Sequence, residues 1–269
     1  MRKQSIQDKL ICTFNEVRYD IFEPILLNVA RLRFGKKYNK DNDNPLISIT
    51  IPTYDRGQLL IDRTLPSILC QSHKNFEVII VGDCSPIETV KILKKVTDPR
   101  VKFINLSKQT NYPDDPKLRW FISGVDPSNY ALKLAKGKWI TYFDDDDIMK
   151  PNFLEQLLGF ALEGNYEFVA GLYEEEQNGF VKTKGQENNE QLEFGGHSTW
   201  LYRSYLKFFR YNVNSWRKSY NCPQDIDMQL RMRKAGVRMK CFNKVVSYVR
   251  PRPGLNTIGL SARLDIKKN

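Results

Sequence analysis

The fold of this 269-residue chain is decided by residues 46–106, LISITIPTYDRGQLLIDRTLPSILCQSHKNFEVIIVGDCSPIETVKILKKVTDPRVKFINL. Three apolar runs in this stretch, LISITI, FEVIIV and VKFINL, have the length and β-branched composition of buried strands. Helical patterns near Gln58–Cys70 and Ile87–Lys95 separate the three runs. Because strands alternate with helices, the stretch predicts a βαβαβ arrangement and a parallel sheet.

The same alternation continues beyond a polar, proline-containing interruption at residues 107–126. A helix in PSNYALKLAKG, a strand in KWITYF, a helix over 151–162 and a strand in EFVAGLY follow in that order. We therefore predict an α/β fold with a Rossmann-like, mostly parallel sheet flanked by helices, in one main domain over residues 46–249. A basic amino-terminal extension and linker (1–45) and a basic carboxyl-terminal tail (250–269) flank that domain.

Charge is distributed unevenly along the chain. The formal net charge is +11 overall, and it divides into +5 for residues 1–40, −7 for 41–200 and +13 for 201–269. A basic end beside an acidic middle suits a nucleic acid, an anionic membrane surface or a phosphorylated substrate, and a plain solvated surface explains it equally. Charge alone leaves these alternatives open.

Targeting and redox signals are absent from the sequence. Apolar runs stay shorter than a membrane-spanning helix needs, and MRKQSIQDKL lacks the apolar core of a signal peptide. The five cysteines form an odd set without a close pair, so the sequence suggests neither a disulfide framework nor a zinc site. We therefore expect a cytoplasmic location, with peripheral contact at the inner face of the membrane left open.

Four aspartates, Asp144–Asp147, come directly after the strand in KWITYF. In open α/β sheets, ligands bind in the crevice beyond the carboxyl ends of the strands. A solvated acidic loop is one explanation of the run. Because a strand and a helix start hold the run in place, the carboxylates repel one another unless a cation screens them. A hard divalent cation such as Mg²⁺ or Mn²⁺ is the favoured explanation.

Two further acidic signals stand at element boundaries. Asp83 follows the strand in FEVIIV, and the first strand ends in IPTYDR, so three strand ends converge on one crevice. In CPQDIDMQLRMRKAG, an amphipathic helix carries Asp225 and Asp227 near its start. Acids there either favour the helix dipole or supply a general base that removes a proton from a substrate hydroxyl.

Four segments in this order resemble the family 2 glycosyltransferases, enzymes of the GT-A fold. The segments are ISITIPTYDRGQLL, VIIVGDCSPIET, YFDDDDIMKP and QDIDMQLRMRKAG, and the resemblance covers about residues 46–246. The third segment is similar to the family's DXD metal motif. The resemblance implies an inverting transfer of a sugar from a nucleoside-diphosphate sugar, favouring a UDP-sugar, to an acceptor hydroxyl in polysaccharide or glycoconjugate synthesis.

The resemblance also implies roles for individual residues. Donor nucleotide binding is implied for Pro52, Thr53, Tyr54, Asp83, Asp144 and Asp145. Asp146 would hold the divalent metal, Mn²⁺ or Mg²⁺, and Asp225 would be the catalytic base. The chain departs from the family pattern at Gln224, where a glutamate is usual. The implied acceptor is a saccharide or a lipid-linked molecule, without a nucleic-acid partner.

Weaker signals concern the acceptor or diphosphate side of the site. These signals are His197, Trp200, Arg203, Asp227 and Arg231. For GGHSTWLYRS, a turn followed by a packed helix is an equal alternative. The tail with Arg250 and Arg252 either closes over the diphosphate or lies at the surface. Residues 17–37 either touch anionic lipid, pack against the main domain or form an oligomer.

Two rival functions start from the same residues. A metal-dependent nucleotidyltransferase also holds metal with carboxylates, but it needs a glycine-rich phosphate loop after the first strand, and PTYDRGQLL has a single glycine. A non-enzymatic basic nucleic-acid-binding module would use the +13 segment. That module has no use for four clustered aspartates, so the sequence favours the glycosyltransferase.

Overall fold

The computed structural model describes residues 4–38, 44–185, 195–220 and 222–266. Its helices are α1 (Ile6–Tyr38), α2 (Gly57–Leu59), α3 (Leu65–Leu69), α4 (Ile87–Leu93), α5 (Pro116–Phe121), α6 (Val125–Leu134), α7 (Phe153–Glu163), α8 (Gln224–Ala235) and α9 (Gly259–Ile266). A π-helical turn, Leu60–Thr64, joins α2 to α3. The strands are β1 (Ile47–Thr53), β2 (Phe76–Gly82), β3 (Val101–Asn105), β4 (Trp139–Tyr142), β5 (Ile148–Met149), β6 (Phe168–Gln177), β7 (Phe180–Lys184), β8 (Trp200–Arg203) and β9 (Met239–Val249).

The strands form one sheet with the order β3-β2-β1-β4-β8-β6-β9-β5, and β7 pairs with β6. Strand β1 is parallel to β2 and β4, and β2 is parallel to β3. Strand β8 runs antiparallel between β4 and β6. Since β1, β2 and β4 point the same way, their carboxyl ends open on one edge of the sheet.

Helices cover both faces of the sheet, which is why the strands are apolar on both sides. In β2, Val78 and Ile80 belong to one apolar cluster, and Ile79 and Val81 belong to the other. One cluster includes side chains of α1, α6 and α8, and the other includes side chains of α3, α4 and α7. The predicted α/β class with a Rossmann-like parallel half is confirmed.

The amino-terminal extension is helical over most of its length. Helix α1 is a single 33-residue helix with Pro24 inside it. It packs along the main domain, where Arg31 donates two hydrogen bonds to the Glu167 carboxylate at 2.7 and 2.6 Å. Residues 39–43 of the predicted linker lie outside the described residues. The extension therefore shares the main domain's core.

The structure contains elements that the sequence analysis did not predict, among them β5, β8 and β9. Helix α5 lies within the 107–126 interruption, and α9 lies in the tail. Strand β6 continues past the predicted segment into a hairpin with β7, whose turn residues Asn178 and Gly179 both have positive φ, 52° and 77°. The mostly polar residues 186–194 lie outside the described residues.

Candidate active site

A cavity of about 700 Å³ opens at the carboxyl ends of β1, β2 and β4. Eight residues proposed from the sequence line it: Pro52, Thr53, Tyr54, Asp83, Asp144, Asp146, His197 and Asp225. The start of α8 and the tail, with Arg250 and Arg252, complete the wall. The sheet topology thus gathers residues that are up to 200 positions apart in sequence.

Asp83 fixes the segment that follows β3. Its carboxylate accepts hydrogen bonds from the Thr110 amide (2.9 Å), the Thr110 hydroxyl (3.0 Å) and the Tyr112 hydroxyl (2.5 Å). Burial, together with the Asp83 charge, raises the pKa of Tyr112, so the phenol stays a hydrogen-bond donor. Asp83 therefore holds the polar segment over the end of β2 and lines the cavity itself.

Asp145 is fully buried and anchors the start of the acidic run to β1. It accepts hydrogen bonds from the Thr53 hydroxyl (2.6 Å) and from Nε of Arg56 (2.7 Å). Burial raises the pKa of Asp145, although Arg56 opposes that rise. Arg56 also approaches Asp146 at 3.6 Å, so this arginine serves two of the four aspartates.

Asp146 is held by cations from two distant segments. Nε of Arg252 donates to its Oδ2 at 2.9 Å. Burial alone would raise the pKa of Asp146, but Arg56 and Arg252 outweigh it and hold the pKa below its usual range. Arg63 fixes the tail in this position through the carbonyl oxygens of Arg250 (3.3 Å) and Pro251 (3.1 Å). The tail thus reaches the acidic run.

In the other two aspartates, burial and like charges outweigh the groups that favour the ionised form. Burial and the charges of Asp146 and Asp145 raise the pKa of Asp144 to about 7. Asp144 accepts hydrogen bonds from the hydroxyls of Tyr142 and Ser198, both at 3.2 Å. Burial and the neighbouring Asp144 also raise the pKa of Asp147. The acidic run is therefore short of positive charge, which favours the neutral form of these two acids.

This donor set fits a divalent cation that is shared with a substrate. Asp144 and Asp146 line the cavity with carboxylate oxygens, and Mg²⁺ is commonly bound by one or two carboxylates plus substrate phosphates. A cation there would also relieve the repulsion that raises the pKa of Asp144. Within the described ranges, no group of three or more His, Cys, Asp or Glu side chains is arranged to hold a metal ion by itself. The substrate would have to complete the coordination.

Helix α8 presents its two acidic residues to different neighbours. Asp225 lines the cavity, and the adjacent Gln224 is fixed by a 2.5 Å hydrogen bond from its side chain to the Ser123 carbonyl oxygen. Residues two positions apart in an α-helix lie about 200° apart around the helix axis, so Asp227 points away from Asp225. Asp227 forms ion pairs with Arg231 (2.8 Å) and Lys218 (3.0 Å). These partners hold the pKa of Asp227 below its usual range despite its burial.

Four of the residues proposed for the acceptor or diphosphate side do not line the cavity. Arg231 joins Asp227 and Glu23 of α1 in a buried ion cluster. Trp200 and Arg203 belong to β8, a central strand with both faces buried, so neither side chain reaches a ligand in the cavity. Trp200 packs on Phe168, and Arg203 lies over the Trp139 ring at 4.1 Å. Only His197 of this group lines the cavity.

His197 is held by aromatic neighbours. Its ring lies 4.1 Å from that of Tyr142 and 5.4 Å from that of Tyr211, centre to centre. Burial lowers the pKa of His197, which keeps the imidazole neutral near pH 7. Its Nε2 is buried without a hydrogen-bond partner among the described residues. A ligand hydroxyl in the cavity could supply that partner.

Comparison with known proteins gives relatives that are named as glycosyltransferases. A putative colanic acid biosynthesis glycosyl transferase from Escherichia coli K12 is 36% identical over 118 residues, 43% of this chain and 38% of that protein. A poly(ribitol-phosphate) β-N-acetylglucosaminyltransferase from Staphylococcus aureus N315 is 28% identical over 174 residues, 62% of this chain and 49% of the relative. The chain thus spans about half or less of the length of these relatives.

Solved structures give the fold. The crystal structure of S. aureus TarS residues 1–349 in complex with UDP-GlcNAc has a TM-score of 0.61 and 21% sequence identity, and it covers 80% of this chain and 60% of that one. This likeness confirms the predicted GT-A fold. The model of the family described as glycosyl transferase family 2 matches residues 48–113 and 128–226, more than half of the chain. The chain therefore belongs to glycosyl transferase family 2.

Proposed function

We propose that this protein transfers a sugar, with inversion, from a nucleoside-diphosphate sugar to an acceptor hydroxyl in polysaccharide or glycoconjugate synthesis. The observation that carries the proposal is that Asp225 lines the same cavity as Asp83 and the acidic run. In this cavity Asp83 would bind the nucleotide, the acidic run would hold a cation for the diphosphate, and Asp225 would be the base for the acceptor. Family membership supports the reaction class.

The donor is proposed to be a UDP-sugar. Solved TarS structures contain UDP-GlcNAc and UDP, and both resemble this chain in fold. Asp83 and Tyr54 would contact the base and ribose from the ends of β2 and β1. Arg252 and Arg56 have the charge to hold a diphosphate, since guanidinium groups pair with phosphate oxygens through two parallel hydrogen bonds.

Asp144 and Asp146 are the residues that would hold Mn²⁺ or Mg²⁺. A bound divalent cation stabilises the negative charge that develops on a departing diphosphate. Asp145 would serve by position: its bonds to Thr53 and Arg56 fix the backbone of the acidic run against β1. Asp147, which is buried beside Ser198, would keep the run from splaying.

Asp225 would act as the general base. Its carboxylate accepts the proton of the acceptor hydroxyl while the oxygen of that hydroxyl bonds to the anomeric carbon. The bond from that carbon to the diphosphate oxygen breaks, and its electron pair leaves on the diphosphate. Attack from the opposite face inverts the configuration. Gln224, held by Ser123, would fix the first turn of α8 and hence the direction of Asp225.

The acceptor is proposed to be a saccharide or a lipid-linked saccharide. One relative, 30% identical over 132 residues, is named as a glucosyltransferase that acts on α-D-GlcNAc-diphosphoundecaprenol. His197 supports a hydroxyl-bearing acceptor, because the residue lines the cavity and its Nε2 lacks a hydrogen-bond partner among the described residues.

The substitution Asp225→Asn tests the proposal. Release of nucleoside diphosphate from a panel of nucleotide sugars with Mn²⁺ should fall by about two to four orders of magnitude, the usual contribution of a general base. Nucleotide affinity by calorimetry should stay unchanged, since Asp225 does not hold the donor. Asp126→Asn is the matched control, an exposed acid in the first turn of α6 that does not line the cavity. Wild-type turnover of Asp225→Asn would remove Asp225 from this role.

A further inference from the structure

The acidic residues of helix α1 all point toward the main domain. Its four acids pair with cations from the rest of the chain: Asp8 with Arg217 (2.7 Å), Glu16 with Lys218 (3.6 Å), Asp20 with Lys234 (2.6 Å) and Glu23 with Arg231. Leu27 and Ala30 are buried in the same apolar cluster as Met228 and Met232 of α8. One side of α1 is therefore neutralised and packed.

The opposite side of α1 is apolar and exposed. The side chains on it have exposed fractions from 51% at Ile21 to 84% at Leu32. They are Ile6, Leu10, Phe14, Val17, Ile21, Phe22, Ile25, Val29 and Leu32. Steps of three and four residues place them along one side of a helix. From residue 6 to residue 32 this outer face extends about 39 Å, at 1.5 Å per residue.

The charges beside this outer face are positive. Arg18 lies four residues after Phe14 and four before Phe22, and Arg33 lies four residues after Val29. Both arginines are exposed. The acids of the helix pair with cations of the main domain, and among the described residues no ion pair joins a carboxylate to Arg18 or Arg33. The outer face therefore combines a broad apolar surface with positive charge.

We propose that the outer face of α1 docks on the surface of an anionic lipid bilayer, with its apolar side chains below the head groups and Arg18 and Arg33 among them. Amphipathic helices that lie in the membrane interface combine these two features. No helix among the described residues is long and apolar enough to cross a membrane, so α1 would lie along the surface.

A second copy of this chain is the competing occupant, and the charges argue against it. Helices that pair in coiled coils use a narrow apolar seam flanked by acids and bases that bond across the interface. The apolar face of α1 is broad, and two outer faces brought together would place positive charge from both copies at the interface without acids on those faces to pair with it. The proposal goes beyond the sugar-transfer function and does not depend on it.

Vesicle sedimentation with the full chain tests the proposal. The wild type should sediment with phosphatidylcholine vesicles that contain phosphatidylglycerol, and less with phosphatidylcholine alone. The double variant F14S/I21S should partition at least about tenfold less, because each removed side chain loses a buried apolar contact. Phe180→Ser is the matched control: Phe180 is 73% exposed but lies on β7, so its loss should change nothing.

The electrostatic part has its own variant. Arg18→Gln combined with Arg33→Gln should lower partitioning on the order of tenfold, only with anionic vesicles and less at high salt. Lys91→Gln, an exposed cation of α4, should behave as the wild type. Equal sedimentation of the wild type and F14S/I21S, or no sedimentation with anionic vesicles, would overturn the proposal. A stable dimer by light scattering that F14S/I21S dissociates would also overturn it and assign the outer face to a second copy.

Discussion

Asp146 and Asp147 are adjacent in sequence but have opposite electrostatic surroundings. Two arginines hold the pKa of Asp146 below its usual range, whereas burial and like charges raise the pKa of Asp147. Asp146 is therefore the carboxylate of this pair that stays ionised at neutral pH. This contrast makes the two residues an internally matched pair for substitution by asparagine.

For Asp146→Asn we expect metal-dependent nucleotide binding to be lost, because the substitution removes the ionised ligand. For Asp147→Asn we expect a small change, because asparagine resembles the protonated acid in shape and charge. Calorimetric titration of UDP with and without Mn²⁺ measures both. Manganese-dependent affinity that survives in Asp146→Asn and is lost in Asp147→Asn would reverse the assignment.

At the level of single residues, sequence reasoning found the acids better than their partners. Asp83, Asp144, Asp146 and Asp225 were proposed from their places at element ends, and all line one cavity. Arg56, in the loop after β1, was not proposed as a site residue. Arg252 was discussed only as part of the tail. Which cation meets which acid depends on tertiary contacts across 89 and 106 positions. No local pattern encodes those distances.

Helix α8 shows how element geometry divides labour between neighbouring residues. Its Asp225 faces the cavity and its Asp227 faces α1, because two positions turn the helix by about 200°. The sequence analysis placed Asp227 and Arg231 among the weaker signals for the acceptor or diphosphate side. Helical periodicity alone would have placed Asp225 on a different side of the helix from Asp227 and Arg231. The i, i+4 spacing of Asp227 and Arg231 indicates a mutual ion pair.

Replacing two glycines by alanine, one at a helix end and one inside a helix, should change the free energy of unfolding in opposite directions. Gly236 ends α8 with a φ of +87°, so Gly236→Ala should lower the free energy of unfolding by about 1 kcal/mol through backbone strain. Gly159 lies inside α7 with nothing within 4 Å of an added Cβ, so Gly159→Ala should raise it by about 0.5–1 kcal/mol. Urea unfolding of both variants measures this. Equal signs would contradict the backbone argument.

Strand and hairpin prediction failed where the signal was short. The dipeptide Asn178–Gly179 is a strong hairpin signal and forms the β6–β7 turn, but the sequence analysis did not predict this hairpin. The βαβαβ segment was predicted well because buried strands and helix periods agree there. The position of β8 between β4 and β6 is a long-range property that sequence periodicity does not carry.

At the scale of the whole molecule, part of the positive charge of the carboxyl-terminal segment is neutralised by ion pairs within the fold. Among its cations, Arg217, Lys218, Arg231 and Lys234 pair with the acids of α1. Arg250 pairs with Glu176, and Arg252 pairs with Asp146. The charge asymmetry of the sequence thus reflects ion pairs between distant segments, which weakens its use as a nucleic-acid signal.

One member of that ion cluster should make stability depend on pH. Burial raises the pKa of Glu23 to about 7, above its ordinary value of 4.5, although Arg231 opposes the rise. The folded protein therefore binds this proton more tightly than the unfolded chain does. The stability that Glu23 contributes is fully present below the unfolded pKa, and it is lost as pH rises toward the folded value.

Glu23→Gln removes this dependence because glutamine stays neutral. The free energy of unfolding of the variant, relative to the wild type, should increase between pH 5 and pH 8 by up to about 3 kcal/mol. Urea unfolding at the two pH values measures it, and comparing them cancels any constant cost of the substitution. A difference that stays constant with pH would show that Glu23 is already ionised at pH 5.

The ion pairs and shared core along α1 limit how this protein can be shortened. A version begun at Leu46 would remove the α1 partners of four cations and uncover Met228 and Met232 on the helix that carries Asp225. Deleting the helix would thus confound loss of lipid attachment with loss of the folded enzyme. The two losses can be separated by substituting the outward-facing side chains of α1 one at a time, while the inward-facing side chains are kept.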